Sequence, residues 1–311
     1  MFKIMLSCIA FMATSLCSIA QVKYIQERLG YTKNTRLLII HADDLGVSQS
    51  ENAASIYAME KGSVSSGSIM VPCPWMGDMA AWARTHPEAD LGLHLTLTSE
   101  WINYKWGSVT PAAQAGSLLN PQGFLYSSTD SFYAHASLEE VEKEIRAQVE
   151  RAKMFGIDPT HFDSHMGCLF TSADYLQLLI KLGREYKVPV LLNAEAFKAM
   201  FNLDLNKYVN EKDVLLDKVY MAQPDDYKKG MAAFYTGVLK NLPPGLSCIL
   251  LHAAYDNAEM KAVTIDHPEY GASWRQADFN FFTSDACRRL LAQQHIQLIT
   301  WREIRDKLIR N

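Results

Sequence analysis

The sequence predicts one parallel α/β domain, closed into a barrel of seven or eight strands, and three observations carry that prediction. Short apolar runs alternate with helical patterns from about residue 36 to the C-terminus. No change of composition separates one half of the chain from the other. No glycine-rich nucleotide loop follows the first strand, which runs instead into His41-Ala42-Asp43-Asp44-Leu45-Gly46, so a barrel fits better than an open doubly wound sheet. With 311 residues, 49% hydrophobic and 21% charged, the chain can bury a large core and is not disordered as its main state.

Each element has its own local cause. Leu37 to Ile40 is a continuous apolar run, as in a strand buried on both faces. A helical pattern follows from about Ser50 to Lys61 and stops at Gly62. Ser66 to Val71 reads as a strand, Trp75 to Arg84 as a helix and Asp90 to Leu95 as a strand. From Thr96 to Ala136 the chain is irregular and rich in Gly, Pro, Ser and aromatic residues. Ser137 and Glu140 then form a capping-box pattern, and Leu138, Val141, Ile145, Val149 and Ala152 recur at helical steps. Gly156 and Asp158-Pro159 end that helix. Strands are expected at Thr160 to Ser164, Val188 to Leu192, Val214 to Met221, Ser247 to Leu251 and Ile296 to Thr300. Helices are expected at Ala173 to Tyr186, Lys228 to Lys240, Ser284 to Gln294 and Trp301 to Ile309.

The first twenty residues stand apart. Lys3 gives a positive start, Ile4 to Ile19 is uncharged and mostly apolar, and Ser18-Ile19-Ala20 offers small residues for a signal peptidase. The expectation is an exported protein, periplasmic or secreted, with residues 1–20 removed and 21–311 forming the barrel domain. No other stretch is long and apolar enough for a stable membrane span. Thirty Lys and Arg against 34 Asp and Glu give a net charge of -4, so no basic field exists to hold nucleic acid. Cys73, Cys168, Cys248 and Cys287 are dispersed and match no zinc knuckle, which makes them buried free thiols.

Metal-competent residues gather where apolar strands end. His41, Asp43 and Asp44 close the first strand, and His94 closes the third. His161, Asp163 and His165 lie in and just after the fourth at every second position, so strand periodicity points all three to one side. His252 closes a later strand. In a parallel barrel these ends share one rim, where active sites assemble. Two imidazoles and a carboxylate suit a divalent ion with open positions, able to activate water. A further carboxylate and a histidine would then serve as base and acid. Singly, each motif has a blander reading: a solvated turn for Asp43-Asp44, a hydrogen-bonded core residue for His94, a wet strand face for the alternating triplet.

At these residues the chain resembles the YdjC/ChbG (ChbG/HpnK) family of carbohydrate deacetylases. HADDLG is similar to the family's opening [NH]-A-D-D-[FL]-G motif, GLHLTLT to its G-x-H motif and PTHFDSHMG to its P-x-H-x-D-S-H motif, in family order and spacing. The resemblance implies a distorted TIM-like (β/α) barrel and a hydrolase that removes an N-acetyl group from an amino sugar or oligosaccharide. It implies Asp44, His94 and His165 as ligands of one divalent ion, zinc or magnesium, with Asp43 as catalytic base and His252 as general acid. Asp163 would accept from a ligand histidine's far nitrogen, with His161 beside it. Arg275, which resembles an arginine of the family's C-terminal region, is a candidate for substrate binding. Trp101 and Trp106 read either as platforms that stack on a sugar or as part of a hydrophobic flap packed on the barrel. Met166-Gly167-Cys168 stands where many members carry further histidines. Two rivals are a carbohydrate-binding protein that lost catalysis and a metal-dependent hydrolase of another acyl or ester bond. The acid–base set argues against the first, and the lack of an Arg or Lys cluster beside the motifs argues against phosphate in the second.

Overall fold

The computed structural model describes residues 24–311, so the expected leader lies outside the described residues. Seven strands, β1 (Arg36–Leu45), β2 (Ser66–Ile69), β3 (Leu91–Leu95), β4 (Phe162–Ser164), β5 (Lys218–Met221), β6 (Gly245–Leu251) and β7 (Ile296–Leu298), form one all-parallel sheet. Their order is β4-β3-β2-β1-β6-β5, with β7 paired to the start of β1. Beyond Arg36, β1 is buried throughout, as its unbroken apolar run requires. No helix among the described residues is long and apolar enough to cross a membrane.

The sheet is curled but not a closed barrel, which corrects the sequence expectation. The predicted strand at Val188 to Leu192 is no ladder strand. It crosses the gap between the two sheet edges with isolated bonds: Phe162 N–H to Pro189 O (3.0 Å), Leu191 N–H to Phe162 O (2.9 Å) and Leu216 N–H to Leu192 O (2.8 Å). Val188 to Leu192 is buried throughout, so its apolar composition reflects burial rather than a paired strand. The predicted strand from Val214 is ordered as a ladder only from Lys218.

Helices cover the sheet. In Leu138–Met154 the inward stripe is Val141, Ile145, Val149 and Ala152, while Leu138 is exposed. Ser137 caps this helix through the Glu140 N–H, but the Glu140 carboxylate turns away to accept from the Ser117 N–H at 2.7 Å. The capping box is therefore half formed, because its second carboxylate ties down the long segment after β3. That segment is less irregular than its composition implies and contains a helix at Thr129–His135, capped by Ser128. Helices at Ala194–Phe201, Ala258–Val263 and Ala272–Phe282 were not foreseen. The expected helix at Lys228 to Lys240 is two, Pro224–Lys229 and Met231–Lys240, broken at Gly230 with φ +106°. Cys73, Cys168, Cys248 and Cys287 are buried free thiols.

Candidate metal centre

The site begins with a break in the β1–β2 ladder. Ala42 pairs with Gly67 and Leu45 with Ile69, so β1 spends one residue more than β2 across this step. Within the bulge Asp44 has φ +66°, a left-handed conformation uncommon for a side-chain-bearing residue but most accessible to Asn and Asp. His41 and Asp43 point to one side of β1 by strand alternation, and Asp44, which would face away in a regular strand, is turned back toward that side. Gly46, at φ +93°, completes the turn; a Cβ there would lie 3.3 Å from Met70 O and Met76 Cα.

Asp44, His94 and His165 meet at one point. Asp44 Oδ1 is 3.4 Å from His94 Nε2 and 3.4 Å from His165 Nδ1, and all three residues are buried. That oxygen has no hydrogen-bond partner. The outer nitrogens are occupied: His94 Nδ1–H donates to Asp163 Oδ1 at 2.6 Å, and His165 Nε2–H donates to Glu100 at 3.0 Å. In the neutral imidazoles each inner nitrogen is thereby left with its lone pair toward Asp44. An orphaned buried carboxylate oxygen facing two such nitrogens is the donor set of a divalent cation, so the residues fit the expected ion. Two other groupings come as close, His41 with His161 and Asp163, and Asp43 with His94 and Asp163. In both, Asp163 is already spent accepting from His41 and His94.

Charge is balanced around this point. Burial would raise the Asp44 carboxyl, but Arg275, His165 and His252 hold it well below the usual range. Burial would also lower His165, yet Glu100 and Asp44 push it up to about 10. A proton and a cation compete for that nitrogen. His41 sits under the site with Nε2 3.0 Å from both Asp43 Oδ1 and Asp163 Oδ2 and Nδ1 3.0 Å from Ser66 Oγ. Burial disfavours its charge, but Asp163 and Asp43 win and raise it to about 10. His41 is thus a buried cation clamped by two carboxylates.

The remaining expected residues divide into those at the site and those around it. Arg275 is not at a sugar-facing surface. It is 2% exposed and donates to Asp44 Oδ2 and Glu51 Oε2, both at 2.8 Å, and to Tyr270 O at 2.7 Å. Burial pushes Glu51 well above the usual carboxylate range against the pull of Arg275. His252 Nε2 lies 3.9 Å from Asp44 Oδ2, and burial pulls its imidazole down to about 4. His161 is a layer deeper, stacked on Trp301, with Nε2 3.8 Å from Asp163 and unbonded. Trp101 and Trp106 are buried, 4% and 3% exposed, and offer no open stacking face here. Trp101 packs 5.2 Å from the Arg275 guanidinium, and Trp106 lies edge-on to His165.

Four contributors escaped the sequence: Glu51, Glu100, Asp278 and His41 in its bridging role. Asp278 accepts from Tyr235 Oη–H at 2.6 Å and from the His252 backbone N–H at 3.1 Å. Its helix had a legible signal, since Trp274, Asp278 and Phe281 with Phe282 recur at helical steps on the buried face. Glu51 had none, because an acidic first turn usually faces water.

Residues 37–293 match the family described as YdjC-like protein. A carbohydrate deacetylase of Thermus thermophilus is 32% identical over 290 residues, spanning 91% of this chain and 98% of that protein. A carbohydrate deacetylase of Geobacillus stearothermophilus is 25% identical over 273 residues, spanning 86% of this chain and 98% of that one. Among solved structures, a proposed cellobiose-phosphate cleavage protein of Enterococcus faecalis superposes with a TM-score of 0.70 at 20% identity, covering 87% of this chain and 99% of the other. That last likeness concerns the fold alone.

Proposed function

The chain belongs to the YdjC-like protein family, and from that premise we propose that it is a metal-dependent carbohydrate deacetylase that hydrolyses the N-acetyl group of an amino sugar or oligosaccharide. The observation that carries the reading is the convergence of Asp44 Oδ1, His94 Nε2 and His165 Nδ1, with Asp43 as their immediate neighbour. Relatives named carbohydrate deacetylase support the same chemistry.

Asp44, His94 and His165 would hold the divalent ion, zinc or magnesium, which when bound supplies Lewis acidity toward the acetyl carbonyl and its attacking water. Asp43 accepts the water's proton. Its Oδ1 is already held by His41, which leaves the other oxygen for that transfer. His252, neutral at rest, takes over the proton that Asp43 drew from the water as negative charge builds beside it, and passes that proton to the departing amine. Arg275 keeps Asp44 ionised and aimed, and the buried aromatic wall keeps bulk water from the histidines. The leader-like residues 1–20 support export as part of the same proposal.

The test is acetate release and loss of one acetyl mass from a panel of N-acetylated glucosamine oligosaccharides. Chelator-stripped protein should be inactive and should recover with added divalent ion. Full activity after rigorous stripping, or no acetate from any acetylated glycan, would overturn the reading.

A further inference from the structure

We propose that Glu100 is a positioning residue of the metal centre, through which the long segment after β3 sets the orientation of His165. The inference rests on the reading of His165 as a ligand and goes beyond it by adding a residue that none of the sequence motifs contains. The two ligand histidines present opposite nitrogens to Asp44, Nε2 from His94 and Nδ1 from His165. An imidazole shows a lone pair at one nitrogen only when its proton is kept at the other, so each ring needs its own acceptor on the far side. For His94 that acceptor is Asp163, on the neighbouring strand and fixed by the sheet. For His165, which lies beyond the end of β4, the sheet offers none. Glu100 supplies it at 3.0 Å from Nε2, with only 14% of its side chain exposed.

The backbone that carries Glu100 is pinned on several sides. The Ser99 N–H donates to Tyr126 O at 2.8 Å, Ser99 Oγ accepts from the Trp106 N–H at 3.1 Å, and Ser99 O accepts from Lys105 Nζ at 2.7 Å. These bonds tie residues 99 to 126 into one folded flap. The carboxylate therefore arrives on a held backbone, which is what an orienting partner requires. One ligand is oriented by the sheet and the other by the flap, and the flap's fold becomes part of the ion's affinity.

The experiment is a cobalt(II) titration of the metal-stripped full-length chain, read by affinity and by the cobalt ligand-field spectrum. E100A should weaken binding by about 10–100-fold and alter the spectrum. E100Q, whose amide oxygen can still accept from Nε2–H, should bind more tightly than E100A. E100D keeps the charge but draws the acceptor back by one methylene, and it should also weaken binding. Parent-like affinity and spectrum in E100A overturn the proposal; if E100A does not fold, the same result in E100D does so. His165→Ala runs in parallel. If it binds cobalt like the parent, the ligand assignment itself is wrong; if it loses cobalt while E100A and E100D do not, only the role of Glu100 falls.

Discussion

Arg275 and Asp44, 231 positions apart in sequence, are joined by a 2.8 Å bond from the guanidinium to Asp44 Oδ2. This divides the labour of one carboxylate: Oδ2 is neutralised from the helix Ala272–Phe282, and Oδ1 is left for the two histidines. The same guanidinium holds Glu51, so Asp44 loses its counter-charge and Glu51 its hydrogen-bond donor together if it is removed.

Arg275→Ala should destabilise the fold by about 3–5 kcal/mol, the cost of leaving buried charge without a partner. Arg275→Lys should recover only part, since one ammonium cannot span Asp44 and Glu51 as a planar fork does. Urea denaturation of the three proteins checks this. A loss below about 1 kcal/mol would mean that the pairing is solvated rather than buried.

Asp43→Asn should lower turnover by about 10²–10⁴-fold, the usual contribution of a positioned base. The Asp44, His94 and His165 cluster is untouched by the change, so the variant's metal content by elemental analysis should equal the parent's. Near-normal acetate release would remove Asp43 from the mechanism.

Gly92→Ala tests the layer beneath the site. A Cβ on Gly92 would fall 2.3 to 2.5 Å from three atoms of the His161 ring, which cannot retreat because Trp301 stacks behind it. The variant should lose about 1–3 kcal/mol through overpacking. Adding His161→Ala should give back part of that loss, a coupling visible in a double-mutant cycle. Strictly additive losses would show that the two residues do not press on each other.

Asp278 gives a pH signature. Burial raises its carboxyl from 3.8 to about 7, so the folded state favours the protonated form. The sign follows from linkage: this contribution is fully present below pH about 4 and is lost as pH rises through about 7. Asp278→Asn mimics the protonated acid, offering an N–H toward Tyr235 and an acceptor to His252. Relative to the parent it should gain stability progressively between pH 4 and 7, by on the order of 3 kcal/mol at the upper end. A stability difference flat across that window would place the carboxyl near its ordinary value.

Most of the site was legible because strand ends announce themselves. An apolar run that stops on His or Asp needs no tertiary information to be noticed, and His94 and Asp44 were of this kind, whereas His165 was visible as the last member of the alternating His161, Asp163, His165 triplet. What stayed hidden depended on distant partners. Glu51 and Glu100 look like surface acids until Arg275 and His165 are placed beside them. Trp101 and Trp106 looked like sugar platforms because composition cannot tell an exposed indole from one packed against a guanidinium or an imidazole. Closure of the barrel failed on a similar point, since Val188 to Leu192 has the apolar content of a strand but makes only scattered bonds to its neighbours.

The extra residue between Ala42 and Leu45 fixes the length of the HADDLG stretch as firmly as its chemistry. Deleting one position there would let β1 resume regular pairing with β2, and the second aspartate would swing toward the helices. A chain shortened in this way would keep its sheet and its core while dismantling the cation cradle. A variant with one residue deleted at this point should therefore be a well-folded protein without the proposed ion-binding arrangement.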